Sequence, residues 1–402
     1  MDKESATFLY DVCVVGGCGH VGLPFALVLA DSGLKIAVQD LDEAKVQQVM
    51  SGHMPFMENG AQEILERVIG NNLWAKNDPS QISNSRYVVV VIGTPVDRHL
   101  NPNFADINDF FNTISPYLVD NQHIILRSTV YPGTTEKVKS ILDSAGKRLS
   151  ITFCPERIAQ GKAIEELKVL PQIVSGFDDR SIREASELFS RINDDIVVLT
   201  PIEAELAKLF TNSWRYIQFA TANQFFMIAS QYNLDFYRIF DAMRYNYPRT
   251  AGFPGAGFAA GPCLLKDTLQ LAAFNKNNFF LGHAAMLVNE GLPSFIVEEL
   301  KKTHGSLSDK VIGILGMAFK ANNDDFRESL AYKLRKILGV EAKEVLCTDP
   351  FIKDDSFHTL DETIKRSDIV ILASPHDEYR DIDFAGKLIV DVWNYYGQGI
   401  TL

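Results

Sequence analysis

The 402-residue chain is short of several features that would assign it to other classes of protein. Lysine and arginine number 39 against 51 aspartates and glutamates, a net charge of −12. The basic face that a nucleic-acid binder needs is therefore not expected. No uninterrupted run of about 18 apolar residues occurs, which argues against a membrane span. The start, Met1 to Tyr10, is polar and mixed in charge, without the basic and apolar parts of a signal peptide. Five cysteines at irregular spacing make no disulfide framework. The cytoplasm is the expected compartment, with thiols that are reactive or buried rather than bridged. No set of His, Cys, Asp and Glu has metal-ligand spacing, so no metal is expected. The eight histidines are scattered, and His20, His53 and His283 read mainly as packing or hydrogen-bonding residues. Repeats and low-complexity tracts are missing too.

What remains is the composition of a globular protein, with 46% hydrophobic and 22% charged residues. The length is too great for one ordinary core and predicts two or three domains. Strands are predicted at Tyr10–Val15, Lys35–Asp40, Tyr87–Ile92, Ile124–Leu126, Ile151–Phe153 and Ile173–Val174, with helical patterns between them. That alternation predicts an α/β fold with a parallel, doubly wound sheet. From about Pro201 the pattern changes: Glu203 to Gln231 holds no Gly or Pro and predicts one long helix. A Pro/Gly-rich loop covers Pro248 to Pro262. From Ser308 the alternation resumes, with strands at Val311–Leu315, Glu344–Cys347, Ile369–Ala373 and Leu388–Val392 and a helix at Ser329–Leu338, a second and smaller α/β domain.

The segment Gly17-Cys-Gly-His-Val-Gly22 is a G-x-G-x-x-G between a strand and a helix. Gly17 would permit the turn, Gly19 the approach of a pyrophosphate, and Gly22 close helix–strand packing. His20 and Val21 complete the loop, and the following helix start offers free N–H groups. Asp40 ends the second strand, where a carboxylate accepts bonds from a ribose diol and repels a 2′-phosphate; the reading is NAD rather than NADP. Gly93-Thr94-Pro95 and Arg127-Ser128-Thr129 follow later strands at their carboxyl ends, where hydroxyls would meet the nicotinamide or serve ordinary turns.

Cys263 lies in the loop Gly257 to Asp267 beside Lys266 and Asp267. Positive charge and a helix start would favour its thiolate, and a small buried residue is the plainer alternative. Cys13, Cys18, Cys154 and Cys347 lie on strands or turns and read as structural. Lys208 and Asn212, four apart, share one face of the long helix and could stabilise an oxyanion or face solvent. Glu156 follows a strand end, as a base for water or as a turn residue.

In order along nearly the whole chain, Val14–Pro24, Pro55–Gly60, Gly93–Pro95, Ser128–Val130, Pro155-Glu156, Ala204–Asn212, Gly257–Asp267 and Gly316–Ser329 resemble the nucleotide-sugar 6-dehydrogenase family, which includes the UDP-glucose and UDP-N-acetylhexosamine enzymes. The resemblance implies an NAD-binding Rossmann domain at 1–200, a central helical, dimer-forming region with the cysteine loop at 201–305, and a Rossmann-like UDP-sugar-binding domain at 306–402. It implies a cytoplasmic homodimer that serves polysaccharide biosynthesis by oxidising a sugar C6 alcohol to a carboxylate with two NAD and one water. Cys263 then corresponds to the nucleophile, Lys208 to the lysine that stabilises charge on the C6 oxygen, and Asn212 to its helper. Asp267 and Thr129 correspond to residues that order water, and Glu156 to the acid of thioester hydrolysis. Gly257, Lys320 and Arg327 correspond to substrate contacts, and Arg249 to an arginine that reaches the partner subunit's substrate.

This chain departs from the family pattern at a few places. Gln160 replaces a second glutamate of the UDP-glucose enzymes. Pro155-Glu-Arg157 resembles the N-acetylhexosamine branch, while Lys266-Asp267 is kept as in the UDP-glucose branch. Asp391-Val-Trp393 stands where Asp-x-Arg is usual. On balance the sugar leans towards an N-acetylhexosamine. Two rival readings are a single-oxidation β-hydroxyacid dehydrogenase and a non-catalytic nucleotide-sugar-binding protein. The first needs neither the cysteine loop nor residues 308–402, and the second needs no catalytic set.

Overall fold

The computed structural model describes residues 8–93, 104–144, 146–259, 261–384 and 386–397. The chain forms two compact units, residues 1–210 and 211–402.

The first unit is built on eight strands: β1 (Tyr10–Val15), β2 (Ile36–Gln39), β3 (Leu73–Lys76), β4 (Ser85–Val90), β5 (His123–Leu126), β6 (Ser150–Phe153), β7 (Gln172–Gly176) and β8 (Ile196–Leu199). Their order is β3-β2-β1-β4-β5-β6-β7-β8. All neighbours are parallel except β6 and β7, which run antiparallel with Thr152 opposite Gly176. The central strands are nearly continuous apolar runs because both faces are covered. Along β1, Val12 and Val14 enter one core with Val38, Val89 and the helix Gly22–Asp31. Cys13 and Val15 enter the other, with Val88, Val90, Phe111 and Val138. Successive side chains of a strand point to opposite faces, so one strand feeds two cores. Strand order reverses at β1, between β2 and β4, and the crevice beyond the carboxyl ends of these strands is the ligand position of such sheets.

β3 and β8 were not foreseen. β3 is four residues of mixed polarity, and β8 is an edge strand with Val197 and Val198 exposed, so neither shows the buried apolar run of a central strand. The remaining predicted strands are present with ends shifted by a residue or two.

The long helix runs from Pro201 to Gln231, two residues earlier than predicted. Its start is set by Thr200, whose amide and hydroxyl donate to Glu203 Oε2 at 2.8 and 2.7 Å. This is the glutamate half of a capping box, with Pro201 in the first helical position.

The second unit holds a parallel sheet of β9 (Val311–Leu315), β10 (Glu344–Thr348), β11 (Ile369–Leu372) and β12 (Leu388–Val390), in the order β10-β9-β11-β12. Leu334 and Leu338 of helix Leu330–Glu341 pack on it, together with Leu292, Ile296 and Leu300 of helix Phe280–His304. By length and composition alone, that second helix is apolar enough to cross a bilayer, with a mean hydropathy of 1.2 over 18 residues. It was not picked out in the sequence because His283, Asn289 and Glu290 interrupt its apolar residues.

Candidate active site

The glycine loop leaves β1 through Gly16, which sits at φ 73° and whose amide donates to the Gln39 carbonyl at 2.8 Å. The turn assigned to Gly17 is therefore made by Gly16. Gly17 is required for a different reason: a Cβ there would lie 2.7 Å from the Val14 carbonyl oxygen and 2.8 Å from Val38. A Cβ on Gly22 would lie 2.7 Å from the Gly17 Cα, so Gly22 does allow close packing of helix on loop. Around Gly19 there is open space. Val21 begins helix Gly22–Asp31 with no side-chain cap, and the Leu23 amide donates to the Gly19 carbonyl at 3.0 Å. The His20 ring stacks on Phe56 with centroids 4.0 Å apart. Asp40 reaches back to the loop: Oδ2 accepts the Cys18 amide at 2.8 Å and Oδ1 the Asp42 amide at 3.0 Å.

At the ends of β5 and β6, Ser128 and Thr129 are half-buried. Arg127 just before them is wholly buried, its guanidinium 4.2 Å from the centre of the Phe25 ring and 4.9 Å from that of Phe189. One of its nitrogens donates to Glu156 Oε2, and Nη1 donates to the Cys154 carbonyl at 3.2 Å. Glu156 Oε1 accepts the Arg157 and Ile158 amides at 2.7 and 3.0 Å. Three of the carboxylate's roughly four acceptor positions are thus taken, and one on Oε2 remains for water. Glu205, on the long helix one turn before Lys208, accepts the Gly133 amide at 2.6 Å and the Thr135 amide and hydroxyl at 2.8 and 2.6 Å. It thereby closes the start of helix Thr134–Ser144. Lys208 is buried on the same helix. Thr94 and Pro95 lie outside the described residues.

In the second unit, Cys263 is the residue that caps helix Leu264–Phe274. It is exposed, whereas Cys13, Cys18, Cys154 and Cys347 are buried. Burial pushes the thiols of Cys13 and Cys18 up to about 12 and those of Cys154 and Cys347 up to about 11, so these four stay protonated and inert. One turn into the helix, Asp267 is fully buried and its Oδ2 accepts Asn212 Nδ2 at 2.6 Å. Gly257, at the loop's start, is clasped by Asn223, which accepts its amide at 2.9 Å and donates to its carbonyl at 3.0 Å. The Trp393 ring lies so close that no side chain fits on Gly257. The indole that replaces the usual arginine thus packs on the cysteine loop. Arg249 is exposed, and its guanidinium meets Tyr247.

The loop after β9 begins at Gly316, φ 86°, and carries the half-buried Lys320. Asp349, at the end of β10, accepts the Met317 and Ala318 amides at 2.7 and 3.0 Å and the Phe351 and Ile352 amides at 2.9 and 3.1 Å. Its Oδ2 is 3.2 Å from His376 Nε2, and His376 Nδ1 accepts the Asn322 amide at 2.9 Å. The buried histidine therefore carries its proton on Nε2 and ties the loop to β10 and β11. Arg327 is held by Asp325 through Nε at 2.9 Å and Nη2 at 2.5 Å.

Three models of one family match successive parts of the chain: the UDP-glucose/GDP-mannose dehydrogenase NAD binding domain at 10–193, its central domain at 202–290, and its UDP binding domain at 313–398. A UDP-N-acetyl-D-mannosamine dehydrogenase of Methanocaldococcus jannaschii is 30% identical over 380 residues, 92% of this chain and 87% of that protein. The chain belongs to the UDP-glucose/GDP-mannose dehydrogenase family. Among solved structures, this dehydrogenase resembles a UDP-D-ManNAc dehydrogenase from Pyrococcus horikoshii, with a TM-score of 0.88 at 26% identity, covering 95% of this chain and 94% of that one. It resembles a UDP-glucose dehydrogenase from Pyrobaculum islandicum equally, with a TM-score of 0.88 at 25% identity and coverage of 97% and 96%.

The dehydrogenase is thus an NAD-dependent oxidoreductase of nucleotide sugars. Its first unit fits that cofactor: the open space at Gly19, the uncapped helix start and the Asp40 carboxylate suit a pyrophosphate and an unphosphorylated ribose. Among the described residues no His/Cys/Asp/Glu group could hold a metal ion. The sequence reading missed Arg127, Glu205, Asn223, Asp349 and His376. Arg127, Glu205 and Asn223 show only as a base, an acid and an amide among apolar residues, and Asp349 and His376 only as polar residues in the turns after strands.

Proposed function

We propose that this dehydrogenase oxidises the C6 alcohol of a UDP-N-acetylhexosamine to the carboxylate in two steps, through a covalent bond to Cys263. The observation that carries the reading is Cys263 itself, the one exposed thiol of five, placed at the head of a helix. A helix N-terminus favours negative charge and therefore the thiolate. The N-acetylhexosamine is supported by the Methanocaldococcus and Pyrococcus relatives and by Pro155-Glu-Arg157.

Bound NAD would supply the hydride acceptor, held by Gly17, Gly19, His20, Val21, Gly22 and Asp40, with Thr94, Pro95, Ser128 and Thr129 towards the nicotinamide. In the first oxidation C6 loses a hydride and its hydroxyl a proton, giving the aldehyde. The Cys263 thiolate then adds to C6, forming a C–S bond and an oxyanion that Lys208 and Asn212 stabilise. A donor of this kind contributes about 3–4 kcal/mol. Loss of a second hydride leaves a thioester. Water, oriented by Asp267, Thr129 and Glu156, replaces sulfur at C6, releasing the carboxylate and regenerating the thiol. Two NAD are reduced and one water is consumed. The covalent intermediate keeps the half-oxidised carbon from diffusing away. Gly257, Lys320, Arg327 and Arg249 serve the nucleotide sugar, Arg249 from the partner subunit.

The proposal includes functional segments at 1–200, 201–305 and 306–402, and a cytoplasmic homodimer. The dimer is supported by a row of apolar side chains on the helices Pro201–Gln231 and Phe236–Arg244 and the turn that joins them. Ile228, Tyr232, Leu234 and Ile239 are 45%, 73%, 52% and 41% exposed. A carboxylated sugar product suits polysaccharide biosynthesis.

The test is to incubate the enzyme with UDP-N-acetylmannosamine, UDP-N-acetylglucosamine, UDP-N-acetylgalactosamine and UDP-glucose and count NADH per sugar consumed. Two NADH with an N-acetylhexosamine are expected, and Cys263→Ser should abolish the second. One NADH per sugar in the parent, or full turnover by the variant, would sink the reading.

A further inference from the structure

Arg127 and Glu156 follow the neighbouring strands β5 and β6, and the pairing of those strands continues past their ends. The Cys154 amide donates to the Leu126 carbonyl at 2.8 Å, and the Glu156 amide to the Arg127 carbonyl at 3.0 Å. Arg127 therefore holds Glu156 twice, its backbone by the carbonyl and its carboxylate by the guanidinium.

The guanidinium itself has little freedom. It lies against the rings of Phe25 and Phe189, whose centres are 5.7 Å apart. Besides its bonds to Glu156 and Cys154, its Nη2 meets Gln172 Oε1 at 3.4 Å, on a side chain fixed by its own bond to the Leu170 carbonyl at 2.9 Å. Its Nε is buried with no acceptor among the described residues, so the group is directed by its Nη end. A planar fork that stacks on rings and donates at two points is a property of arginine, not of lysine. Arg157, the other cation beside Glu156, is turned elsewhere: its amide reaches the carboxylate, but its Nη2 donates to the Pro171 carbonyl.

With Arg127 on Oε2 and two amides on Oε1, the Glu156 carboxylate cannot rotate, and its remaining acceptor position on Oε2 points in one direction. Arg127 and Glu156 are 1% and 8% exposed. Desolvation offsets most of the attraction in such a pair, and an apolar pair of similar volume would join β5 to β6 at least as well. Stability alone gives no reason for two charges here; direction does.

We propose that Arg127 is a positioning residue for the hydrolysis step: it sets the plane of the Glu156 carboxylate and so the line along which the water that attacks the thioester is held. The proposal rests on the reading of Glu156 as a residue that orients this water, and deepens it. Phe25 belongs to the helix that follows the glycine loop, so the same guanidinium also ties Glu156 to the cofactor-binding helix.

Two measurements on the full chain test it. The first needs no substrate: urea melts of the parent, Arg127→Met, Glu156→Gln and the double variant. Each single change strands a buried partner, so the double variant is expected to regain part of the two losses. Simple additivity would overturn the proposal. The second is a single turnover with UDP-N-acetylmannosamine, or whichever of the four UDP sugars yields two NADH, quenched in acid and weighed as intact protein. Arg127→Lys is expected to form both NADH at close to the parent rates, while the thioester on Cys263 persists about 10- to 100-fold longer. Glu156→Gln should show the same accumulation, and Arg127→Lys should add nothing to it. An equal slowing of every step in Arg127→Lys would make the residue structural and overturn the proposal, as would further slowing in the Glu156→Gln background. Parental hydrolysis in Arg127→Lys alone defeats the proposal and leaves the role of Glu156 standing. Parental hydrolysis in Glu156→Gln defeats both.

Discussion

Glu205 and Thr135 are joined twice, the amide and the hydroxyl of Thr135 both donating to one carboxylate oxygen, while the other oxygen takes the Gly133 amide. The acid is one turn before Lys208 on the long helix, and the two amides are a few residues after Thr129. Glu205 therefore holds the lysine's helix to the loop that carries the threonine. Glu205→Gln would leave one of these donors facing another donor. A loss of about 1–3 kcal/mol is expected in a thermal or urea melt. Because misplacement by an ångström slows catalysis by up to about 100-fold, kcat should fall more than the KM for NAD rises. Equal effects on both constants would show that Glu205 acts on cofactor binding instead.

Asn212 and Asp267 form the second buried contact, at 2.6 Å. Asn212→Ala leaves a carboxylate inside the protein short of a donor, at about 1–3 kcal/mol. Asn212→Asp should be worse, since it sets two carboxylates against each other, and its urea midpoint should rise as pH falls and one of them protonates. If Asn212→Asp proved as stable as the parent at pH 8, the contact would not exist in solution.

Asp40 is expected to set the choice of cofactor. A hydrogen bond to a charged group is worth about 1.5–3 kcal/mol, so Asp40→Asn should raise the KM for NAD by roughly 10- to 100-fold. It should also narrow the preference over NADP, because the repelling charge is gone. Steady-state kinetics with both cofactors decide the matter; an unchanged NAD/NADP ratio would remove Asp40 from the site.

His123 predicts an acid limb of stability. Burial pushes it down to about 4, outweighing the favourable charge of Glu184, whose Oε2 is 3.3 Å from Nδ1. In the unfolded chain a histidine titrates near its ordinary value, about 6.5. Between those limits the unfolded state holds more protons than the native one. Stability is fully present above about pH 6.5 and declines as pH falls towards 4, by on the order of 2–3 kcal/mol. His123→Gln should flatten that part of a stability-against-pH curve. An equally steep acid limb in the variant would assign the effect to other groups.

The fold was legible where burial is two-sided. Strands such as Val88-Val89-Val90 and Ile312-Gly-Ile314 can hardly be anything else, and the glycine loop announces itself by spacing. The edge strand β8 was not legible, because both its valines, Val197 and Val198, are exposed. Of the candidate site, positions with a local context were legible: Cys263 before its helix, Asp40 after its strand. Asn223, Glu205 and His376 were not, because their partners lie 34, about 70 and 27 to 54 positions away. Glu205 reads as a solvated helical acid until the chain is folded. The turn expected at Gly17 falls on Gly16 for a related reason, since only backbone geometry tells a left-handed turn from a close contact.

Asp349 stands in the small sheet where Asp40 stands in the large one, at the tip of the strand beside the first. Yet its oxygens are already spent on four amides and an imidazole. A ribose diol would find no lone pair there. The chain, among the described residues, is thus equipped to seat a single dinucleotide. If two hydrides leave one sugar, the reduced cofactor must depart and a fresh one arrive between them, while the substrate stays moored to the same chain.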